Sequence, residues 1–240
     1  MFSQRSRRVL GFIPARGGSK RIPKKNVIDF FGKPILAYPI QAAINSNLFD
    51  LIHVSTDDNI VGDIAKTLGV DASFKRPDNL SDDFIGILPV AQWVLREFAM
   101  KGQHFDDIII LFPCAPFLTA SDLGQAYDIY KAFEGRKNLI TVCKVPAKLE
   151  YYYRRNEETG ELRAIQPGGS FIRSQDLPEA YFETGTFTIF SCDWLLNSKS
   201  LEDDTRYVSY ELPSWKSVDI DTKEDLEYAK LLYKAVKNRL

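Results

Sequence analysis

The sequence predicts an α/β fold: a mostly parallel twisted sheet with helices on both faces, carrying a small inserted β-hairpin. Three observations predict it. Short apolar runs alternate with amphipathic stretches of helical period along most of the chain. One run, Asp107–Phe112, holds Ile108, Ile109, Ile110 and Leu111 in succession, which implies a strand buried on both faces. And 240 residues at 45% hydrophobic content can bury a sizeable core as one domain, residues 1–240, with an insertion over about 145–181.

Taken in order, Val9–Ile13 reads as the first strand and is followed by a polar loop. Pro34 at a first helical turn starts an amphipathic helix over Ile35–Ser46. Leu51–Ser55 is a second short strand; Thr56, Asp57 and Asp58 then supply caps for a helix over Asn59–Leu68 that stops at Gly69. Ala72–Phe74 reads as a brief strand, residues 86–101 as a longer helix and Asp107–Phe112 as the central strand. Thr119 opens a helix to about Phe133, and Asn138–Lys144 is the next strand. Ligands in such sheets bind outside the carboxyl ends of the strands. The loops 14–33, 55–58 and 113–119 all follow strands, so they gather at one edge.

From Val145 to about Tyr181 the pattern changes. Tyr151–Arg155, a turn at Asn156–Gly160 and Glu161–Ile165 read as a β-hairpin. Exposed aromatic ribbons often mediate subunit contact; a hairpin folded onto its own domain is the other reading, and the residues alone do not choose. Phe187–Phe190 reads as a strand, Cys192–Asn197 as a short helix, Ser217–Ile220 as a strand and Thr222–Lys237 as a closing amphipathic helix.

Thirty-one basic against 32 acidic residues give a net charge of −1, which argues against a nucleic-acid partner. Cys114, Cys143 and Cys192 are widely spaced and odd in number, and His53 and His104 are the only histidines. Neither a disulfide framework nor zinc is expected, and any metal would be a hard cation on carboxylates. The basic start, Met1–Arg8, precedes an apolar run too short for a signal peptide, and nothing approaches a membrane span, so no membrane partner is expected and the cytoplasm is the expected compartment.

The loop after the first strand is where charge concentrates. Ile13-Pro14-Ala15-Arg16-Gly17-Gly18-Ser19-Lys20-Arg21-Ile22-Pro23-Lys24-Lys25-Asn26 carries five cations, more than a core could bury. Gly-Gly-Ser frees backbone N–H groups to converge on an anion, and the cations add charge-assisted hydrogen bonds to phosphate. The loop fits neither the Walker A pattern nor the dinucleotide fingerprint. A solvated cationic loop is the plain alternative; Pro14 and Pro23 favour a preformed cradle.

Near the other end lies Val218-Asp219-Ile220-Asp221-Thr222. On a strand, Asp219 and Asp221 would project together and call for a cation such as Mg²⁺, which takes one or two carboxylates plus substrate phosphates. Asp221 as a mere cap of the last helix is the alternative. Arg76 follows a strand and could reach a nucleotide; Arg173 could pair with a substrate carboxylate, or with Asp176 or Glu179. His53, on an apolar strand, reads as a satisfied core histidine.

Together these residues resemble the acylneuraminate (nonulosonic acid) cytidylyltransferases. The resemblance rests on Ile13–Asn26, Val54-Ser55-Thr56-Asp57-Asp58, Arg76-Pro77, Leu80-Ser81-Asp82-Asp83 and Asp219-Ile220-Asp221-Thr222, in the same order. Gly17–Pro23, Ser81–Phe84 and Phe112-Pro113-Cys114-Ala115-Pro116-Phe117 look most like the pseudaminic acid branch. Sialic acid enzymes usually carry Gln-Pro-Thr-Ser-Pro at 112–116 and Asn-Gly where this chain has Thr184-Gly185. Gly86 stands where relatives have a hydroxyl on the nucleotide, so nothing is carried over there.

The resemblance implies a Rossmann-like nucleotide-diphospho-sugar transferase fold and a homodimer through the inserted hairpin. It implies that CTP and a nine-carbon 2-keto sugar acid give CMP-sugar and pyrophosphate. Ala15, Arg16, Gly17, Gly18, Ser19, Lys20, Lys25, Asn26 and Arg76 would hold the nucleotide, Arg173 and Thr184 the sugar, and Asp219 and Asp221 the Mg²⁺. Arg16, Lys25, Asp219 and Asp221 would carry catalysis. A sialic acid synthetase and a non-catalytic nucleotide-binding module are the alternatives.

Overall fold

The computed structural model describes residues 7–82, 84–201 and 206–237. Asp83 of the motif above and Met1–Ser6 of the basic start lie outside the described residues. Among the described residues, ten strands and six α-helices follow one another: β1 (Val9–Pro14), β2 (Asp29–Phe30), β3 (Lys33–Pro34), α1 (Ala37–Ser46), β4 (Leu51–Ser55), α2 (Asn59–Thr67), α3 (Ile87–Met100), β5 (Asp107–Leu111), α4 (Ala120–Ala132), β6 (Asn138–Lys144), β7 (Tyr153–Arg155), β8 (Leu162–Ala164), β9 (Tyr181–Ser191), α5 (Cys192–Asn197), β10 (Tyr207–Glu211) and α6 (Lys223–Val236). Six of the strands form one sheet in the order β10-β6-β9-β5-β1-β4. β1 runs parallel to β4 and β5, and β10 parallel to β6, while β9 is antiparallel to both its neighbours. The sheet is therefore mostly parallel.

Side-chain alternation divides the core in two. Ile109 and Leu111 of β5, with Val9 and Ile13 of β1, face α1, α2 and α4 through Leu36, Ile40, Val61 and Tyr130. Ile108, Ile110, Leu10 and Phe12 face Val90, Val94 and Phe98 of α3 and Leu195 of α5. A strand with both faces covered has no polar side, which is why β5 reads as an unbroken apolar run. Its first residue, Asp107, is fully buried and takes hydrogen bonds from Arg7, Tyr127 and Tyr130, tying α4 to the sheet.

A third cluster fixes the charged loop. Ile22, Phe30 and Ile35 pack on Ile220, Leu226 and Ala229 at the C-terminal helix. The Phe30 ring meets Tyr38 and Tyr233 edge-on at 5.4 and 5.2 Å. The turn that presents Phe30 has Phe31 and Gly32 at φ +53° and +81°, as a tight hairpin turn between β2 and β3 requires. Phe30→Ala empties this junction and is expected to cost about 3–5 kcal/mol in denaturant unfolding. It should also loosen the charged loop, which loses its anchor to α6.

Three sequence expectations are corrected. Ser217–Ile220 is irregular and not a strand; Pro213 ends pairing, and the sheet's edge is β10, whose Val208 and Tyr210 pack on the core. Ala72–Phe74 is not a strand either: Asp71 alone bridges His53, and Phe74 turns away to stack on the imidazole with ring centroids 4.3 Å apart. Helix α1 begins at Ala37, two residues later than expected, because Lys33 and Pro34 pair with Asp29 and Phe30. The hairpin of the 145–181 region is present as β7 and β8. Among the described residues no helix is long and apolar enough to cross a membrane.

His53 is only half satisfied. Its Nδ1 bonds Asp71, whereas Nε2 is buried without a partner. Burial pushes the imidazole below its ordinary value, against the pull of Asp71. A lowered histidine favours the neutral folded state. That contribution is complete above the unfolded value of about 6.5 and is lost as pH falls below it. The melting temperature is expected to drop between neutral pH and about pH 5, and His53→Phe should flatten this slope.

Candidate active site

The loops after β1, β4 and β5 meet as the topology dictates. Ala15 N–H donates to the Ser55 carbonyl at 3.0 Å, and Gly17 N–H to Asp57 Oδ1 at 2.8 Å. A Cβ on Gly17 would stand 2.7 Å from Asp58 Oδ2, and Asp58 is committed to capping α2 through Ile60 and Val61. Only glycine lets the loop pass so close. Ser19 N–H turns back to the Gly17 carbonyl at 3.0 Å. Two of the N–H groups expected to converge on an anion are therefore used within the protein.

The loop borders a cavity of about 540 Å³ whose lining includes Arg16, Ser19, Lys20, Arg21, Lys25, Asn26 and Arg76. Arg76 is 4% exposed, and its two side-chain hydrogen bonds both go to Ser55, to Oγ at 3.2 Å and to the carbonyl at 2.6 Å. Burial pushes its guanidinium down to about 10, with the field of Asp57 opposing and Arg16 adding to the shift. A buried cation bonded only to neutral oxygens is unfavourable unless an anion joins it. Asn26 lines the same cavity and also has a structural part. It is buried, its Nδ2 donates to the Arg16 carbonyl at 2.8 Å and its Oδ1 lies 3.5 Å from Cys114 Sγ. It is a strut that ties the cradle to the loop after β5.

A second cavity, about 260 Å³, continues from the first and shares Lys25, Phe112 and Pro113 with it. Asp219 and Asp221 line it, with Cys114, Ala115, Gly185, Thr186 and Val218. The two carboxylates share this wall although no strand carries them. Burial and the charge of Asp221 push Asp219 above the usual carboxylate range. Lys25 stands at the junction, donating to the Ile220 carbonyl at 2.8 Å and to Asp221 Oδ1 at 3.0 Å. Burial pushes the Cys114 thiol up to about 12, so it is a neutral group here and not a nucleophile. Asp221 does not cap α6; Thr222 does, and Asp225 completes the capping box.

The carboxylate pair suits a hard divalent cation: two oxygen donors in mutual repulsion, beside a cavity built for phosphate. Among the described residues no group of three or more His, Cys, Asp or Glu side chains forms a complete cage, so phosphate oxygens would have to finish the shell.

Two sugar-contact expectations fall outside this trough. Arg173 is exposed and pairs with Asp176 at 2.7 Å. Thr184 is buried behind the wall, bonded to Thr141 Oγ1 at 2.8 Å and Thr186 Oγ1 at 2.9 Å. The β6–β9 pairing is irregular between Ile140 and Val142, and Gly185 and the buried Thr186, not Thr184, line the second cavity. Arg21 joins the site through Asp221 Oδ2 at 2.9 Å, a contact across 200 residues that only the fold reveals.

A family model described as Cytidylyltransferase matches residues 10–237. The chain is 37% identical over 233 residues to the pseudaminic acid cytidylyltransferase of Campylobacter jejuni subsp. jejuni serotype O:23/36 (strain 81-176), covering 94% of this chain and 96% of that relative. It is 28% identical over 227 residues to the CMP-N,N'-diacetyllegionaminic acid synthase of Legionella pneumophila subsp. pneumophila, covering 91% and 93%. Among solved structures, CMP:2-keto-3-deoxy-manno-octonic acid synthetase complexed with CTP matches with a TM-score of 0.68 at 18% identity, covering 95% of this chain and 99% of that one, a likeness of fold.

Proposed function

Because this chain belongs to the cytidylyltransferase family, we propose that its trough joins CTP to a nonulosonic acid, with pseudaminic acid as the substrate. The anomeric hydroxyl of the nine-carbon 2-keto sugar acid attacks the α-phosphate, the bond to the β-phosphate breaks, and CMP-sugar and pyrophosphate leave. The observation that carries this is the buried Arg76, which among the described residues has no bonded carboxylate, in a cavity that Arg16, Lys20, Arg21 and Lys25 also line. Such a cavity holds a polyanion and not a neutral ligand.

The protein's share is placement and charge. Arg16, Lys20 and Lys25 take the triphosphate, the loop shaped for it by the internal bonds of the Ala15, Gly17 and Ser19 N–H groups, and Arg76 holds its charge from the buried side. Asn26 keeps the Arg16 segment in position. Lys25, at the junction of the two cavities, lies where charge develops on the phosphate during transfer. Asp219 and Asp221 hold Mg²⁺, which when bound neutralises phosphate oxygens and makes the phosphorus more electrophilic.

The second cavity, between Cys114 and Thr186, receives the sugar. The 145–181 insertion leaves Phe171 92% and Leu162 63% exposed. A second copy covering this ribbon makes the homodimer and offers Arg173 to a sugar carboxylate from outside the chain's own trough.

The test is a paired assay: pyrophosphate release from CTP with pseudaminate or with N-acetylneuraminate, together with mass by light scattering. Turnover with pseudaminate and a dimeric mass are expected. Preferential turnover of N-acetylneuraminate would make the chain a sialic acid synthetase, and CTP binding with no release from either sugar would leave a nucleotide-binding module. A monomer would remove the role given to Arg173.

A further inference from the structure

Two cations that line the larger cavity are paired with one carboxylate of the smaller. Arg21 Nη2 lies 2.9 Å from Asp221 Oδ2, and Lys25 Nζ lies 3.0 Å from Asp221 Oδ1. Each carboxylate oxygen of Asp221 thus has its own counter-ion. Resting on the assignment of Asp219 and Asp221 to the divalent cation, we propose that Arg21 and Lys25 are exchangeable counter-ions: they occupy Asp221 until metal and triphosphate arrive together, then turn to phosphate, so that neither ligand loads well alone.

Charge balance requires the coupling. A dication entering alone must displace Lys25 and Arg21 from Asp221, leaving three positive centres around two carboxylates. It would also gain few ligands, since no larger cluster of donor side chains is present among the described residues. A triphosphate entering alone would draw both cations onto its oxygens and leave Asp219 and Asp221 bare beside a polyanion. When both enter, the phosphates take the cations and the metal takes the carboxylates, and every charge keeps an opposite neighbour. The motion needed is small. Lys25 already lines both cavities, and Arg21, whose side chain is 66% exposed, lines the larger one.

The inference adds Arg21 to the site as a positioning residue that works through Asp221. Its test is Mn²⁺ binding to the full chain without nucleotide, read from the free-ion signal in electron paramagnetic resonance. Arg21→Gln removes an exposed pair and is expected to tighten Mn²⁺ binding roughly three- to fivefold. Arg21→Gln with Lys25→Met should tighten it further, and Lys24→Gln, which removes the same charge from an exposed neighbour outside the contact, should leave it unchanged. Melting curves verify that each variant is folded.

Unchanged binding in Arg21→Gln and in the double variant overturns the exchange, as does equal tightening by Lys24→Gln. The metal assignment has a separate outcome. Mn²⁺ uptake with CTP present that Asp219→Asn leaves untouched overturns that assignment, whereas uptake that needs Asp219 but ignores Arg21 overturns the exchange alone.

Discussion

Asp221→Asn is expected to lower kcat roughly 10²- to 10³-fold, the loss seen when a charge-stabilising group is removed from a transition state. The size follows from where the carboxylate lies. Asp221 shares a cavity wall with Asp219, and Lys25, bonded to Asp221, stands between that cavity and the cation-lined one. Losing one of two hard ligands weakens the metal where the leaving charge develops, an interaction that strengthens as the reaction proceeds. Stability should hardly change, because the pairs with Arg21 and Lys25 are part exposed and such pairs contribute at most about 1 kcal/mol. Raising Mg²⁺ should recover part of the rate. Wild-type turnover by folded Asp221→Asn, measured as pyrophosphate release, would remove Asp221 from the metal site.

The sheet was legible wherever periodicity is a local property. Ile108–Leu111 and the helices over 87–100 and 223–236 stand within a residue or two of the pattern that predicts them. Pairing was less legible. β10 reads only as Tyr-Val-Ser-Tyr-Glu, and its strand state comes from lying beside β6, a neighbour 69 residues away. Ser217–Ile220 has the composition of a strand but pairs with none, and Ile220 packs instead with Ile22 and Phe30.

The site divides in the same way. Residue types named its parts: a cationic glycine loop, an arginine after a strand, two aspartates one residue apart. Orientation they could not name. Asn26 reads in sequence only as a ligand, whereas its bonds to Arg16 and Cys114, which tie the loop after β1 to the loop after β5, are set by the fold. Thr184 and Thr186 are equivalent on a regular strand, and the irregular pairing of β9 with β6 decides which meets the cavity.

Arg76→Met is expected to separate stability from binding. In the wild type the guanidinium is dehydrated to 4% exposure and compensated only by Ser55. A charge held that way costs the fold, so a side chain of similar length without charge should leave unfolding stability unchanged or slightly raised. Ser55 tolerates the loss, since its carbonyl still accepts from Ala15 N–H at 3.0 Å. Binding goes the other way. Removing a charge-assisted contact to phosphate, worth about 1.5–3 kcal/mol, should weaken CTP affinity by roughly 10- to 150-fold in calorimetry. A strongly destabilised Arg76→Met would instead make the arginine a structural pin, and an unchanged CTP affinity would put the triphosphate elsewhere. The expected pair of results, equal stability with lost affinity, is the signature of a residue kept for its ligand at the expense of its fold.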